Sequence, residues 1–182
     1  MGSIGASVDA SVGTGAAMVM GGAVEEKIRA PRFRYQVECL GPDGELKWSE
    51  DVENLVTTVG GNDLIDKYFK GSAYTASWFM GLKGAGTIAA GDTAASHAGW
   101  TEVNPYTGNR PAITFGTTSA RSNTATAVSF SITVAGPTTC AGAFVQSVNT
   151  GTTGILYSAS DFSLSRSVTT GDTLNVTLTV SV

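Results

Sequence analysis

Residues 32–40 read RFRYQVECL, and their alternation decides the fold. Phe33, Tyr35, Val37 and Cys39 take one face; Arg32, Arg34, Gln36 and Glu38 take the other. A period of two, with aromatic and branched residues on one side, is the pattern of a half-buried strand. Gly41-Pro42-Asp43-Gly44 follows with turn chemistry. Residues 45–56, ELKWSEDVENLV, resume as a second strand with Leu46 and Trp48 on one face, so the pair predicts a β-hairpin.

The same period returns at the other end of the chain. Val128, Phe130, Ile132 and Val134 alternate, as do Leu174, Val176, Leu178 and Val180. Short strands are expected at 113–115, 127–134, 138–148, 154–159 and 173–182. Gly136-Pro137, Asn149-Thr150-Gly151 and Thr170-Gly171-Asp172 separate them as turns. Regular short strands with turn signals indicate a mostly β protein, an antiparallel β-sandwich or jelly-roll-like domain. The last strand is expected to pin the C-terminal residues into a sheet. Residues 60–70, GGNDLIDKYFK, predict one short helix, capped by Asn62 and ended by Gly71. Leu64, Ile65, Tyr68 and Phe69 fall on one stripe of it. Residues 73–83 read as a buried strand, and residues 84–109 as a long loop carrying Trp100 and Tyr106. Loops of that length are often functional.

Residues 1–23 are a low-complexity run of Gly, Ala, Ser and Val that cannot bury enough surface to order itself. Two readings stand side by side. One is a tail, or an extension upstream of a start at Met18 or Met20. The other is an N-terminal arm over residues 1–27 that orders on a neighbouring subunit. Extended, residues 1–23 would reach roughly 75 Å. Ile4, Ala6, Val8 and Ala10 alternate in a way that suits strand addition to a partner's sheet. The domain proper is expected over residues 28–182.

Charge narrows the partners. The net charge is −4 and only 14% of residues are charged, against an apolar fraction of 42%. Nucleic acid is not the expected partner, because phosphate binding needs a basic patch. Residues 1–71 hold seven Lys/Arg and eleven Asp/Glu, whereas residues 72–182 hold four of each. No apolar run reaches 18 residues, so no membrane partner is expected. The start has no Lys or Arg before residue 27 and carries Asp9, which is not a secretory pattern. Synthesis in a cytoplasm is expected.

Motifs for chemistry are sparse. Asp92, Ser96 and His97 invite a triad, but adjacent Ser and His side chains diverge on most backbones. The carboxylates Glu25-Glu26, Glu50-Asp51 and Glu53 read as a solvated face rather than a glycosidase pair. Asp161 and Asp172 read as turn residues bonding their own backbone. With one His and two Cys, no metal and no cofactor is expected. Gly84-Ala85-Gly86 has no βαβ context, and the Asn175-Val176-Thr177 sequon lies mid-strand. Cys39 and Cys140 read as two buried free thiols, with a disulfide as the alternative. Trp78 reads as core. Trp100 and Tyr106 read as core cover or interface contacts, with a sugar-stacking platform as the other reading. No enzyme is expected.

Several segments together resemble a structural protein of tailed bacteriophages. They are residues 53–56 (ENLV), 61–72 (GNDLIDKYFKGS), 96–102 (SHAGWTE), 110–112 (RPA), 141–144 (AGAF), 154–157 (GILY) and 171–176 (GDTLNV). The resemblance spans roughly residues 28–182 and leaves residues 1–27 outside it. Members of this group are labelled head decoration, cement or tail-fibre-like proteins, and no catalytic residues are attributed to them. The resemblance implies a capsid decoration (cement) protein on the virion surface, clamping neighbouring capsid subunits. The implied partners are the major capsid protein and further copies of the chain, as a trimer or dimer. The alternative it leaves open is a tail- or neck-associated fibre or adaptor protein that binds carbohydrate or a receptor. The interface candidates are Ile4 and Val8 in the arm and Trp100 and Tyr106 in the long loop.

Overall fold

The computed structural model describes residues 31–74 and 77–182, so Ile4, Val8, Glu25 and Glu26 lie outside the described residues. Ten strands and one helix follow in order. They are β1 (Arg32–Leu40), β2 (Leu46–Glu53), β3 (Leu55–Val56), α1 (Thr58–Tyr68), β4 (Phe79–Gly86), β5 (Trp100–Val103), β6 (Ser122–Thr124), β7 (Val128–Ser131), β8 (Thr138–Gln146), β9 (Leu156–Val168) and β10 (Thr173–Ser181). They form two antiparallel sheets. One runs β2-β1-β10-β6, with β7 pairing the other end of β10; the second runs β3-β9-β8-β4-β5.

The alternation in β1 and β10 does what it predicts. The two strands pair from Arg32 with Ser181 through to Leu40 with Thr173. Tyr35, Val37, Cys39, Leu174, Val176 and Leu178 are all fully buried. They meet Met80, Leu82, Cys140, Val145 and Val168 of the second sheet in one shared core. Phe33 packs on Tyr157 with ring centroids 5.0 Å apart, and Trp48 on Phe162 at 6.0 Å. The mostly β architecture, the two-sheet sandwich and the single short helix therefore stand as expected.

The second half of the predicted hairpin divides. Residues 46–53 stay with β1, but after Asn54 the chain crosses to the other sheet, where Leu55 pairs with Ala159 and Val56 with Ser158. The helix starts earlier than expected. Its cap is Thr57, not Asn62, and the Thr57 hydroxyl accepts from Gly60 N at 3.1 Å. That hydroxyl also donates to the Leu156 carbonyl, and Thr57 N donates to Tyr157 O, so the cap is nailed to β9. Gly60 lies so close to Tyr157 that an added Cβ would stand 2.3 Å from its carbonyl oxygen. Sequence capping rules see the local side chain; tertiary anchoring chose Thr57.

The strand expected at 73–83 begins only at Phe79 and runs to Gly86. The expected loop 84–109 contains β5, which pairs with β4. Residues 113–115 form no ladder, only bridge contacts such as Phe115 with Ala125. β9 extends thirteen residues to Val168, well past the expected end at 159, because β8 pairs with it both before and after a bulge, from Leu156 to Asp161 and again from Arg166 to Val168. A bulge between Cys140 and Gly142 lets this pair bend; an added Cβ on Gly142 would sit 2.0 Å from Ser160 O. The outer face of the second sheet is covered by the chain itself. Ala94, Trp100, Phe144, Leu156 and Ala159 form a second small core there, with Ile88 packed against it.

Candidate interaction surface

Most of the candidates for chemistry are engaged by structural partners. Asp92 Oδ2 accepts from Trp100 Nε1 at 2.8 Å and from Ala89 N at 2.9 Å, so the carboxylate is committed to the loop. His97 Nδ1 lies 3.1 Å from Trp100 O, and its ring stacks on Trp100 with centroids 4.1 Å apart. Ser96 belongs to a turn with Thr93. Asp92 and His97 hold Trp100 between them and Ser96 closes the turn with Thr93, an arrangement unlike a Ser-His-Asp relay. Asp51 and Glu53 pair with Arg34 and Arg32 on the exposed face of the first hairpin, whereas Glu50 lies half-buried on the opposite face beside Trp48 and Val52 and accepts from Ser163 N at 3.0 Å. Among the described residues, no group of three or more His, Cys, Asp or Glu is placed to hold a metal ion. No helix among them is long and apolar enough to cross a membrane.

Trp100 and Tyr106 are 3% and 8% exposed. Trp100 packs on Phe144 and Tyr106 on Phe130, so both rings are spent inside the protein. This corrects their reading as interface or sugar-stacking residues: a ring needs a free face to stack on a ligand. Core cover, weighed beside that reading, is where they stand. Burial first, then the neighbouring Glu102, pushes the Tyr106 hydroxyl up to about 12.

Two buried cations lie beside this loop, and the sequence reading missed both. Lys83 in β4 is fully buried; its Nζ meets Asp161 Oδ1 at 2.6 Å and donates to the carbonyls of Gly84 and Gly86. Asp161 is therefore a mid-strand ion partner rather than a turn residue. Cross-strand register brings this about: Lys83 faces Gly142, and Gly142 faces Asp161. Arg110 makes a forked pair with Glu102 at 2.7 and 2.6 Å and donates to Val148 O and Gly151 O, tying two loops together. Asp172 behaves as expected and more. Its side chain accepts from Thr169 N and also from Lys47 Nζ at 2.7 Å, across the end of the first sheet. Burial pushes this carboxyl up, but Lys47 and Thr169 outweigh it and leave it below the usual range. Cys39 and Cys140 are free and buried, which settles that alternative in favour of two thiols. Burial, with a small addition from Cys39, raises the Cys140 thiol to about 12.

What the interior does not use, the surface presents. Leu64 (36%), Ile65 (56%), Tyr68 (78%) and Phe69 (78%) are all exposed, and Gly60 is the buried residue of α1. Of the expected stripe, Ile65, Tyr68 and Phe69 face away from the sandwich, while Leu64 borders a groove beside it. Helix α1 docks through its cap and Gly60, which leaves its apolar side free. Beside it runs an apolar groove of about 250 Å³ at the end where β1 begins and β10 finishes, lined among others by Phe33, Leu64, Tyr74, Trp78, Phe115 and Tyr157. Tyr74 is also largely exposed. A second trait runs through residues 111–182, where only Arg121, Asp161, Arg166 and Asp172 are charged. Hydroxyls and amides pair there instead, as in Thr124 with Thr179 and Ser129 with Asn175. No family model matches this chain, and no curated protein matches it either.

Proposed function

We propose that this protein is a phage capsid decoration (cement) protein, binding the outside of the head shell and clamping neighbouring capsid subunits. The observation that carries the reading is the surface just described. A stable sandwich with few charges, hydroxyl-rich sheets and an open apolar face is suited to burial against other subunits. Charge of one sign on a surface keeps proteins soluble and apart, and this surface has little of it. The resemblance of residues 28–182 to tailed-phage structural proteins supports the same reading. Its partners are the major capsid protein and further copies of the chain, with residues 1–27 as the arm that reaches a neighbouring subunit. It works by interface burial, without cofactor or catalysis.

A protein count of purified virions, set against the major capsid protein, tests this. A ratio of one, or a simple fraction, is expected for a shell component. A few copies per particle would overturn the head assignment and move the protein to tail or neck.

A further inference from the structure

Residues 63–70 read Asp-Leu-Ile-Asp-Lys-Tyr-Phe-Lys. The order is acid, two apolar, acid, base, two apolar, base. Read backwards with the signs exchanged, the pattern is unchanged. The acids occupy one half of the segment and the bases the other; Asp63 and Lys67, with side chains 8% and 22% exposed, are turned toward the groove and pair with each other, which leaves Asp66 and Lys70 as the charges at the surface. The apolar residues between them are the exposed ones already described. Asp66 and Lys70 stand at the surface with side chains 50% and 74% exposed, joined by a loose pair at 3.5 Å across the C-terminal end of the helix, where Phe69 is the cap and Lys70 follows it. Tyr68 and Phe69 meet edge to face with centroids 5.0 Å apart, which presents a preformed aromatic platform.

Such a pattern is self-complementary about a twofold axis. Two copies of α1 packed antiparallel set the acidic half of one against the basic half of the other, and apolar residue against apolar residue. Packed in parallel, they would set like charge against like. A twofold contact uses the same patch on both copies, so a patch with this internal symmetry fits it. The segment carries two acids and two bases and is neutral overall, which gives no preference for nucleic acid or an anionic membrane.

We propose that the exposed face of α1 is a twofold self-association surface. Its occupant is α1 of a second copy, with Ile65, Tyr68 and Phe69 at the centre and Asp66 of each copy against Lys70 of the other. This develops the self-association part of the reading above. Its test uses no capsids, so it can fail while shell binding holds, and the reverse.

The test is sedimentation of the full chain from about 1 to 500 μM, because one short helix pair gives an interface at the small, weak end of the range. A monomer–dimer equilibrium is expected. Asp66→Lys and Lys70→Asp, each alone, place like charges opposite one another and should weaken the dimer at least tenfold. Mixing the two variants in equal amounts should restore it as a heterodimer, because each altered site then meets its opposite. Both positions are exposed, so circular dichroism of each variant should match the parent. Tyr68→Glu should be monomeric throughout. A parent that stays monomeric overturns the proposal, including the case in which residues 1–30 cover α1 and protect it from hydrogen exchange. A dimer indifferent to these substitutions, or a mixture that fails to re-form it, overturns it as well.

Discussion

β10 and α1 carry apolar residues at the period of their own structure, yet they meet opposite fates. Leu174, Val176 and Leu178 are fully buried between the sheets, whereas Ile65, Tyr68 and Phe69 stand in solvent. The chemistry of the side chains is alike; the anchoring differs. β10 is paired on both edges, by β1 on one side and β6 and β7 on the other. That pairing fixes which of its faces looks inward. α1 is anchored on β9 through Thr57 and Gly60 and turns Asp63 and Lys67 toward the protein, so Ile65, Tyr68 and Phe69 are left on the outer side. Periodicity tells which residues share a face. It does not tell what the face meets.

The comparison breaks most easily at the core. Phe130→Ala and Leu174→Ala should each lose about 3–4 kcal/mol of unfolding free energy. Tyr68→Ala and Phe69→Ala should change it by no more than about 0.5 kcal/mol in chemical denaturation at low protein concentration, where association contributes nothing. A loss at Phe69 comparable to that at Phe130 would mean that α1 is packed after all.

Buried charge sharpens the contrast next. Asp161→Ala leaves the Lys83 ammonium buried with only carbonyl partners and should cost about 2–3 kcal/mol, whereas Lys83→Met, which removes the charge with its need, should cost less. Equal losses from the two would show that the pair contributes directly rather than by avoiding an orphan. At α1 itself, Gly60→Val forces a side chain onto the Tyr157 backbone and should destabilise by about 1–3 kcal/mol. If the stripe is free, that variant should also release the helix without disturbing the β1–β10 ladder, as amide exchange would report.

The Lys47–Asp172 pair is a smaller effect with a defined sign. The folded-state pKa of Asp172 lies below its ordinary value. The stability it adds is therefore complete above about pH 4 and is lost as pH falls through the lower folded value. Asp172→Asn should flatten the acid limb of a stability-against-pH curve; an unchanged limb would show that another carboxylate governs it. The least effect is expected at the exposed pair Arg34–Asp51, where Arg34→Ala should cost below about 1 kcal/mol.

Much of this molecule was legible beforehand. Strict alternation at 32–40, 127–134 and 173–182 is a strong signal because a buried strand face tolerates nothing else. The paired strands of the first sheet follow from it, and the helix from the stripe of Leu64, Ile65, Tyr68 and Phe69. The candidate site was legible only in part. Leu64, Ile65, Tyr68 and Phe69 were visible as a stripe, but their exposure was not, since α1 takes its position from a threonine cap and a glycine contact. Trp100 and Tyr106 drew attention as loop aromatics, and β5 with its covering loop then took both into the interior. Lys83 gave no signal, because a lone lysine in an apolar strand acquires meaning only when Asp161, 78 positions later, arrives two strands away.

Sequence by itself determined local matters: which residues alternate, where turns fall, and that residues 111–182 carry almost no charge. These depend on backbone preference and side-chain type, which act over a few residues. Tertiary structure alone decided which faces were covered, which carboxylates met which cations, and which aromatics stayed outside. Those outcomes depend on partners brought from a hundred residues away, as Thr57 is to Leu156, and no local rule contains them.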